Sequence, residues 1–132
     1  GDAYENIISL IKKNNLSNYV RIFNFNDNPY KYLNKSHIFV STSIFEGFPN
    51  SLLEAVCMGK ICISYDCESG PKEIFENNKY GHLINLFDKD ALKKTLLKLI
   101  ANNNFYKDSF ELKLKYGIKA ISNKYIDFIL KE

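Results

Sequence analysis

The chain has 132 residues, 45% hydrophobic and 25% charged, which suits one compact domain rather than two. Its 10 Phe and 9 Tyr supply apolar surface for a core without help from disulfides or metals, and no apolar run reaches the ~20 residues of a membrane helix. The net charge is +3, yet residues 1–87 hold eight basic against nine acidic side chains while 88–132 hold ten lysines against six acids, so the excess lies in the tail.

That basic tail fits a solvated helix face or an anionic membrane surface. Nucleic acid is not expected as a partner, because the single arginine, Arg21, leaves almost no bidentate reader of phosphate or guanine. Cys57, Cys62 and Cys67 are odd in number and evenly spaced, unlike a disulfide framework or paired C-x-x-C zinc ligands, and His37 and His82 lie far from them. No metal or other cofactor is therefore expected, and three unpaired thiols suit the cytoplasm. The opening at Gly1, with no Met, suggests a fragment of a longer protein.

Tyr4, Ile7, Ile8 and Ile11 recur at helical spacing, so 3–14 is expected as a helix with one buried stripe. A strand is expected at 20–25, closed by the polar, Pro-containing 26–29, and a short helix at Tyr30–Lys35. The continuous apolar run Ile38, Phe39, Val40 marks 37–42 as a strand buried on both faces. After the loop 43–49, a helix is expected over 50–58 with Gly59 as a left-handed cap, then an apolar strand at Ile61–Tyr65. Residues 67–70 turn the chain, Pro71 opens a short helix, and 81–84 forms a short strand. Asp88 caps a helix striped by Leu92, Leu96, Leu99 and Ile100. A last helix over 104–130 carries Leu114, Ile118, Ile121, Tyr125 and Phe128 on one face, bent at Gly117. Strands alternating with helices imply an α/β, Rossmann-like parallel sheet with helices on both faces. Ligands of such sheets sit at the carboxyl ends of the strands, which here are the loops after Val40 and Tyr65.

The first of those loops is chemically dense. Ser41-Thr-Ser-Ile-Phe-Glu46-Gly-Phe-Pro-Asn50-Ser-Leu-Leu-Glu54 places one carboxylate in the loop and one in the helix that follows. Gly47 allows close backbone approach, and the helix N–H groups starting at Asn50 favour an anion. A diphosphate there would have Glu46 on one side and Glu54 on the other, each able to accept from sugar hydroxyls, which describes a nucleotide sugar. Local alternatives stay open. Ser51-x-x-Glu54 also spells a capping box, Glu73 can simply support a first helical turn, and Asp88-Lys-Asp90, although a D-x-D, begins an amphipathic helix where aspartates cap.

This run resembles glycosyltransferase family 4 and related retaining enzymes of the GT-B fold, whose C-terminal, donor-binding domains carry Ser, Glu-Gly-Phe, then Glu-Ala and Gly. The likeness continues through Ile61, Asp66, Ser69-Gly-Pro-Lys-Glu73-Ile and Tyr80-Gly-His-Leu-Ile84 in the same order and spacing. It implies that Glu46 contacts the donor sugar as the catalytic residue and that Glu54 holds the ribose diol. It further implies that the backbone at Gly47, Phe48, Asn50, Ser51 and Leu52 meets sugar hydroxyls and diphosphate, with Ser69 and Gly70 closing near the diphosphate. The nucleobase would pack by Asn24 and Phe25. The implied activity is transfer of a hexosyl or N-acetylhexosaminyl group, with a UDP-sugar favoured as donor. The acceptor, a glycan or lipid-linked sugar, would be held by a separate N-terminal domain, and the diphosphate by an Arg and a Lys from the first strand-loop of this domain, upstream of Gly1. The expected place is the cytoplasm, with peripheral contact to the membrane. A sugar-nucleotide epimerase of the same fold and a noncatalytic α/β interaction module are the alternatives.

Overall fold

The computed structural model describes residues 3–103 and 107–130. Its sheet has three parallel strands, β1 (Ile38–Ser41), β2 (Ile61–Tyr65) and β3 (His82–Ile84), in the order β1-β2-β3. Ile38 pairs with Ile61, and Ile63 with His82. Two helices, α1 (Tyr4–Lys13) and α2 (Tyr30–Lys35), precede the sheet. The crossovers carry α3 (Asn50–Cys57) and α4 (Pro71–Phe75), and α5 (Lys89–Asn102), α6 (Phe110–Tyr116) and α7 (Ile118–Ile129) follow.

β2 is buried at all five positions, and its side chains alternate between two cores. Cys62 joins Leu52, Ala55 and Val56 of α3, Ile74 and Phe75 of α4, and Leu112 of α6. Ile63 and Tyr65 join Ile84 on the opposite face, where Ala91, Leu92, Leu96 and Leu99 of α5 cover them. Helices therefore lie on both faces, as expected. α3 ends in a Schellman motif, with Lys60 N–H on the Ala55 carbonyl at 3.1 Å and Gly59 N–H on that of Val56 at 2.9 Å. Gly59 takes the left-handed φ of +73°. Asp88 caps α5 by accepting from Ala91 N–H at 2.8 Å.

Four expectations are corrected. The segment 20–25 joins no ladder among the described residues, and Phe23 and Phe25 are 55% and 93% exposed. A strand needs a neighbour to take its backbone groups, and among the described residues β1 pairs with β2 alone, its other edge taking no ladder from 20–25. For the same reason β1 is an edge strand, with Val40 exposed, instead of a strand buried on both faces. The stripe of α1 is not buried: Tyr4 and Ile7 are exposed, while Ile8 and Ile11 are half-buried and border a hollow with Val20 and Ile22. The last helix is two helices, because Gly117 is extended (φ −64°, ψ 151°) between α6 and α7. Residues 107–109 are not helical and 104–106 lie outside the described residues, while Leu112, absent from the expected stripe, is the buried residue of α6.

His82 on β3 has its pKa lowered, first by burial and then by the charges of Lys107 and Lys98. The unfolded chain then binds more protons, so this contribution to stability is intact above the unfolded value of about 6.5 and lost as pH falls below it. Urea unfolding should show a lower midpoint at about pH 5.5 than at about pH 7.5, and His82→Gln should shrink that difference.

Candidate functional site

The loops that follow β1 and β2 lie against each other. Ser69 Oγ donates to the backbone carbonyl of Glu46. Gly70 has φ +90° and ψ −63°, near the rare classic γ conformation, and a Cβ there would overlap Pro49 Cδ. Pro49 is buried, and its φ of −79° and ψ of 83° form an inverse γ-turn in which Asn50 N–H donates to the Phe48 carbonyl at 3.0 Å. The half-buried Glu46 and the open Gly47 are thereby held at the carboxyl edge of the sheet. Leu52 contributes no side chain to this edge: it is fully buried, and its N–H donates to the Pro49 carbonyl at 3.0 Å. The amides of Gly47, Phe48 and Ser51 are then the candidate ligand donors.

Glu54 stands in the middle of α3 and does not act in a capping box, since Pro49 is the N-cap and no side chain caps the helix. Its Oε1 instead accepts from Tyr30 Oη at 3.0 Å. Glu54, Ser51 and Tyr30 border a cleft of about 340 Å³ whose apolar wall includes Phe23, Tyr32 and Val40. The Phe23 and Tyr32 rings lie 4.2 Å apart. Asn24 and Phe25, expected beside the nucleobase, do not line this cleft, whereas Phe23 does. Phe23, Tyr30 and Tyr32 were missed because only the fold brings them to Glu54; their density around Pro29 was the available signal.

Phe48 and Asn50 open on the other side, into a hollow of about 760 Å³ against Tyr116, Ile121 and Phe128. Glu73 ties elements together: its Oε1 accepts from Tyr116 Oη at 2.9 Å, while Lys115 Nζ meets Glu76 Oε1 at 2.8 Å. Both contacts join α4 and its end to α6. The Tyr116 phenol is raised, first by burial and then by its bond to Glu73. The three cysteines are free thiols, and burial pushes Cys62 up to about 12. Among the described residues no group of three His, Cys, Asp or Glu is placed to hold a metal, and no helix is long and apolar enough to cross a membrane.

This geometry has counterparts. The family of glycosyl transferases group 1 matches residues 1–115, and the chain belongs to it. The chain is 30% identical over 120 residues to N-acetylgalactosamine-N,N'-diacetylbacillosaminyl-diphospho-undecaprenol 4-alpha-N-acetylgalactosaminyltransferase of Campylobacter jejuni, covering 91% of this chain and 33% of that one. It is 48% identical over 60 residues to lipopolysaccharide 1,6-galactosyltransferase of Escherichia coli, 46% of this chain and 17% of the relative. The crystal structure of TarM superposes with a TM-score of 0.85 at 26% identity, over 96% of this chain and 26% of that one. The chain thus spans about a third of the Campylobacter relative and less of the other two. Its fold is that of a GT-B C-terminal domain.

Gly70→Ala should lower stability by about 2–4 kcal/mol, from the positive φ and the overlap with Pro49. Urea unfolding measures that loss, and a Gly47→Ala control, whose Cβ meets no atom within 4 Å, should not reproduce it.

Proposed function

We propose that this chain is the donor-binding domain of a retaining glycosyltransferase that moves a hexosyl or N-acetylhexosaminyl group from a nucleotide sugar, with a UDP-sugar favoured. The observation that carries the reading is Glu54 at the lip of an aromatic cleft, one helical turn from the loop that holds Glu46. Glu54 accepts the ribose hydroxyls, the base enters the cleft by Phe23 and Tyr32, and the diphosphate lies along the amides of Gly47, Phe48 and Ser51. Ser69 and Gly70 brace that loop from below. Glu46 then faces the sugar. In the reaction the anomeric C–O bond to the diphosphate breaks, the nucleoside diphosphate leaves with the electron pair, and an acceptor hydroxyl bonds to the same carbon and releases its proton.

The acceptor in this reading is a glycan or lipid-linked sugar held by a separate domain. The Campylobacter relative, whose name describes transfer onto an undecaprenol-linked sugar, supports that choice. Peripheral attachment to the cytoplasmic face of a membrane through the basic tail belongs to the same proposal. No metal is assigned: Asp88 of the D-x-D is engaged as a helix cap.

Calorimetric titration with UDP, GDP and ADP tests the reading, and indifference to all three would sink it. Glu54→Gln should weaken nucleotide binding by roughly 1–3 kcal/mol through loss of charge-assisted bonds, with the melting temperature little changed. Glu46→Ala should leave affinity for bare UDP nearly intact while lowering transfer in the longer protein by ~10²-fold or more.

A further inference from the structure

We propose that Tyr30 is the positioning residue for Glu54: its hydroxyl selects the one carboxylate orientation in which Glu54 meets the cis-diol of a ribonucleotide. The inference rests on the ribose role given to Glu54 above. Tyr30 Oη donates to Glu54 Oε1 at 3.0 Å although the two are 24 residues apart. Tyr30 is the first residue of α2, and its backbone is set by Pro29, whose carbonyl accepts from Tyr32 and Leu33 N–H at 3.0 and 3.1 Å. At the far end of α2, Ser36 Oγ closes the last turn on the Leu33 carbonyl and Lys60 Nζ reaches across to that of Asn34, both at 2.8 Å. The phenol thus reaches Glu54 from a helix tied to the rest of the fold by Leu33, which packs against the core, and by Lys60.

A half-buried glutamate on a helix has several rotamers, and a ligand that needs one of them loses affinity to the rest. A hydrogen bond to one oxygen removes that spread before the ligand arrives. An ionised carboxylate offers about four acceptor positions, so Tyr30 takes one and leaves enough for two ribose hydroxyls. The Glu54 hydrogen bond, and after it the Glu54 charge, hold the Tyr30 phenol above its usual value of 10, so it stays a donor at neutral and mildly alkaline pH. Tyr30 touches no reacting atom in this arrangement and acts through Glu54. Because its ring also borders the cleft, Tyr30→Phe keeps the wall and removes only the hydroxyl.

The test is a double-mutant cycle on Tyr30 and Glu54, read by titration with UDP and with 2′,3′-dideoxyuridine diphosphate, which lacks the diol. Tyr30→Phe should weaken UDP roughly three- to tenfold and leave the dideoxy nucleotide unchanged. In a Glu54→Ala background, which removes the acceptor, the same change should cost nothing further. Wild-type affinity of Tyr30→Phe for UDP, or equal losses on both nucleotides, overturns the assignment. If Glu54→Gln weakens UDP and Tyr30→Phe does not, only the role of Tyr30 falls; if Glu54→Gln also binds UDP normally, the ribose reading of Glu54 falls with it. A thermal melt of each variant confirms that folding is not the cause.

Discussion

Parallel pairing on both sides of β2 is the constraint from which the site follows. Strands that run the same way deliver their carboxyl ends to one edge, and each connection must travel back along the sheet as a helix before the next strand begins. The loops leaving β1 and β2 therefore emerge side by side, and the helices that follow them start at the same edge. Glu46, Ser69, Gly70 and the first turn of α3 converge by topology alone. Contact between the Ser69 hydroxyl and the Glu46 carbonyl, and the fit of Gly70 beneath Pro49, then turn adjacency into a single braced surface. A side chain at position 70 would push the two loops apart, which is why the turn there takes a backbone conformation that glycine alone accepts without strain.

Burial is uneven along the chain, and the unevenness has a physical pattern. The largest fully buried side chains fall within 52–75 and at Ser109 and Leu112, on and around β2, whose two faces serve two cores. α1 and α7 bury none of their residues among those described. The same holds of α2 and α5, and elements with few buried apolar contacts open at lower free energy than a core strand does. Within the candidate site, α3 belongs to the buried part, whereas Phe23, Tyr30 and Tyr32 come from segments with no buried residue. The loops of the site return into α3 and α4, which contribute to the main core.

Most of the sheet and the helices of its crossovers were legible because their signals are local. Ile61–Tyr65 is an unbroken apolar run, Gly59 marks a left-handed cap, and Asp88 precedes a periodic helix. The failures were of another kind. Residues 20–25 alternate like a strand, yet a strand is a property of a pair, and the pattern cannot announce whether the partner is present. Gly117 sits within one continuous apolar stripe, but its extended backbone ends α6 and begins α7. In the site, Glu46 and Glu54 stand out through the resemblance of the whole run around them, whereas Phe23, Tyr30 and Tyr32 do not, since each reaches the cleft through packing between segments far apart in sequence.

Glu54 shows how a helix boundary decides what a carboxylate is free to do. A capping box needs the serine at the N-cap and the glutamate three residues later, with its carboxylate reaching back to the N-cap amide. Here α3 begins at Asn50, so Ser51 is the second helical residue and Glu54 the fifth, out of reach of that role. The residue that does occupy the N-cap is Pro49, which has no amide hydrogen to offer any carboxylate. Proline at that position serves a different contact, filling the space under Gly70. By starting the helix two residues earlier than the motif requires, the loop releases Glu54 from local duty. The carboxylate is then open to a partner from across the sheet edge, and Tyr30 at the head of α2 is the one the fold presents.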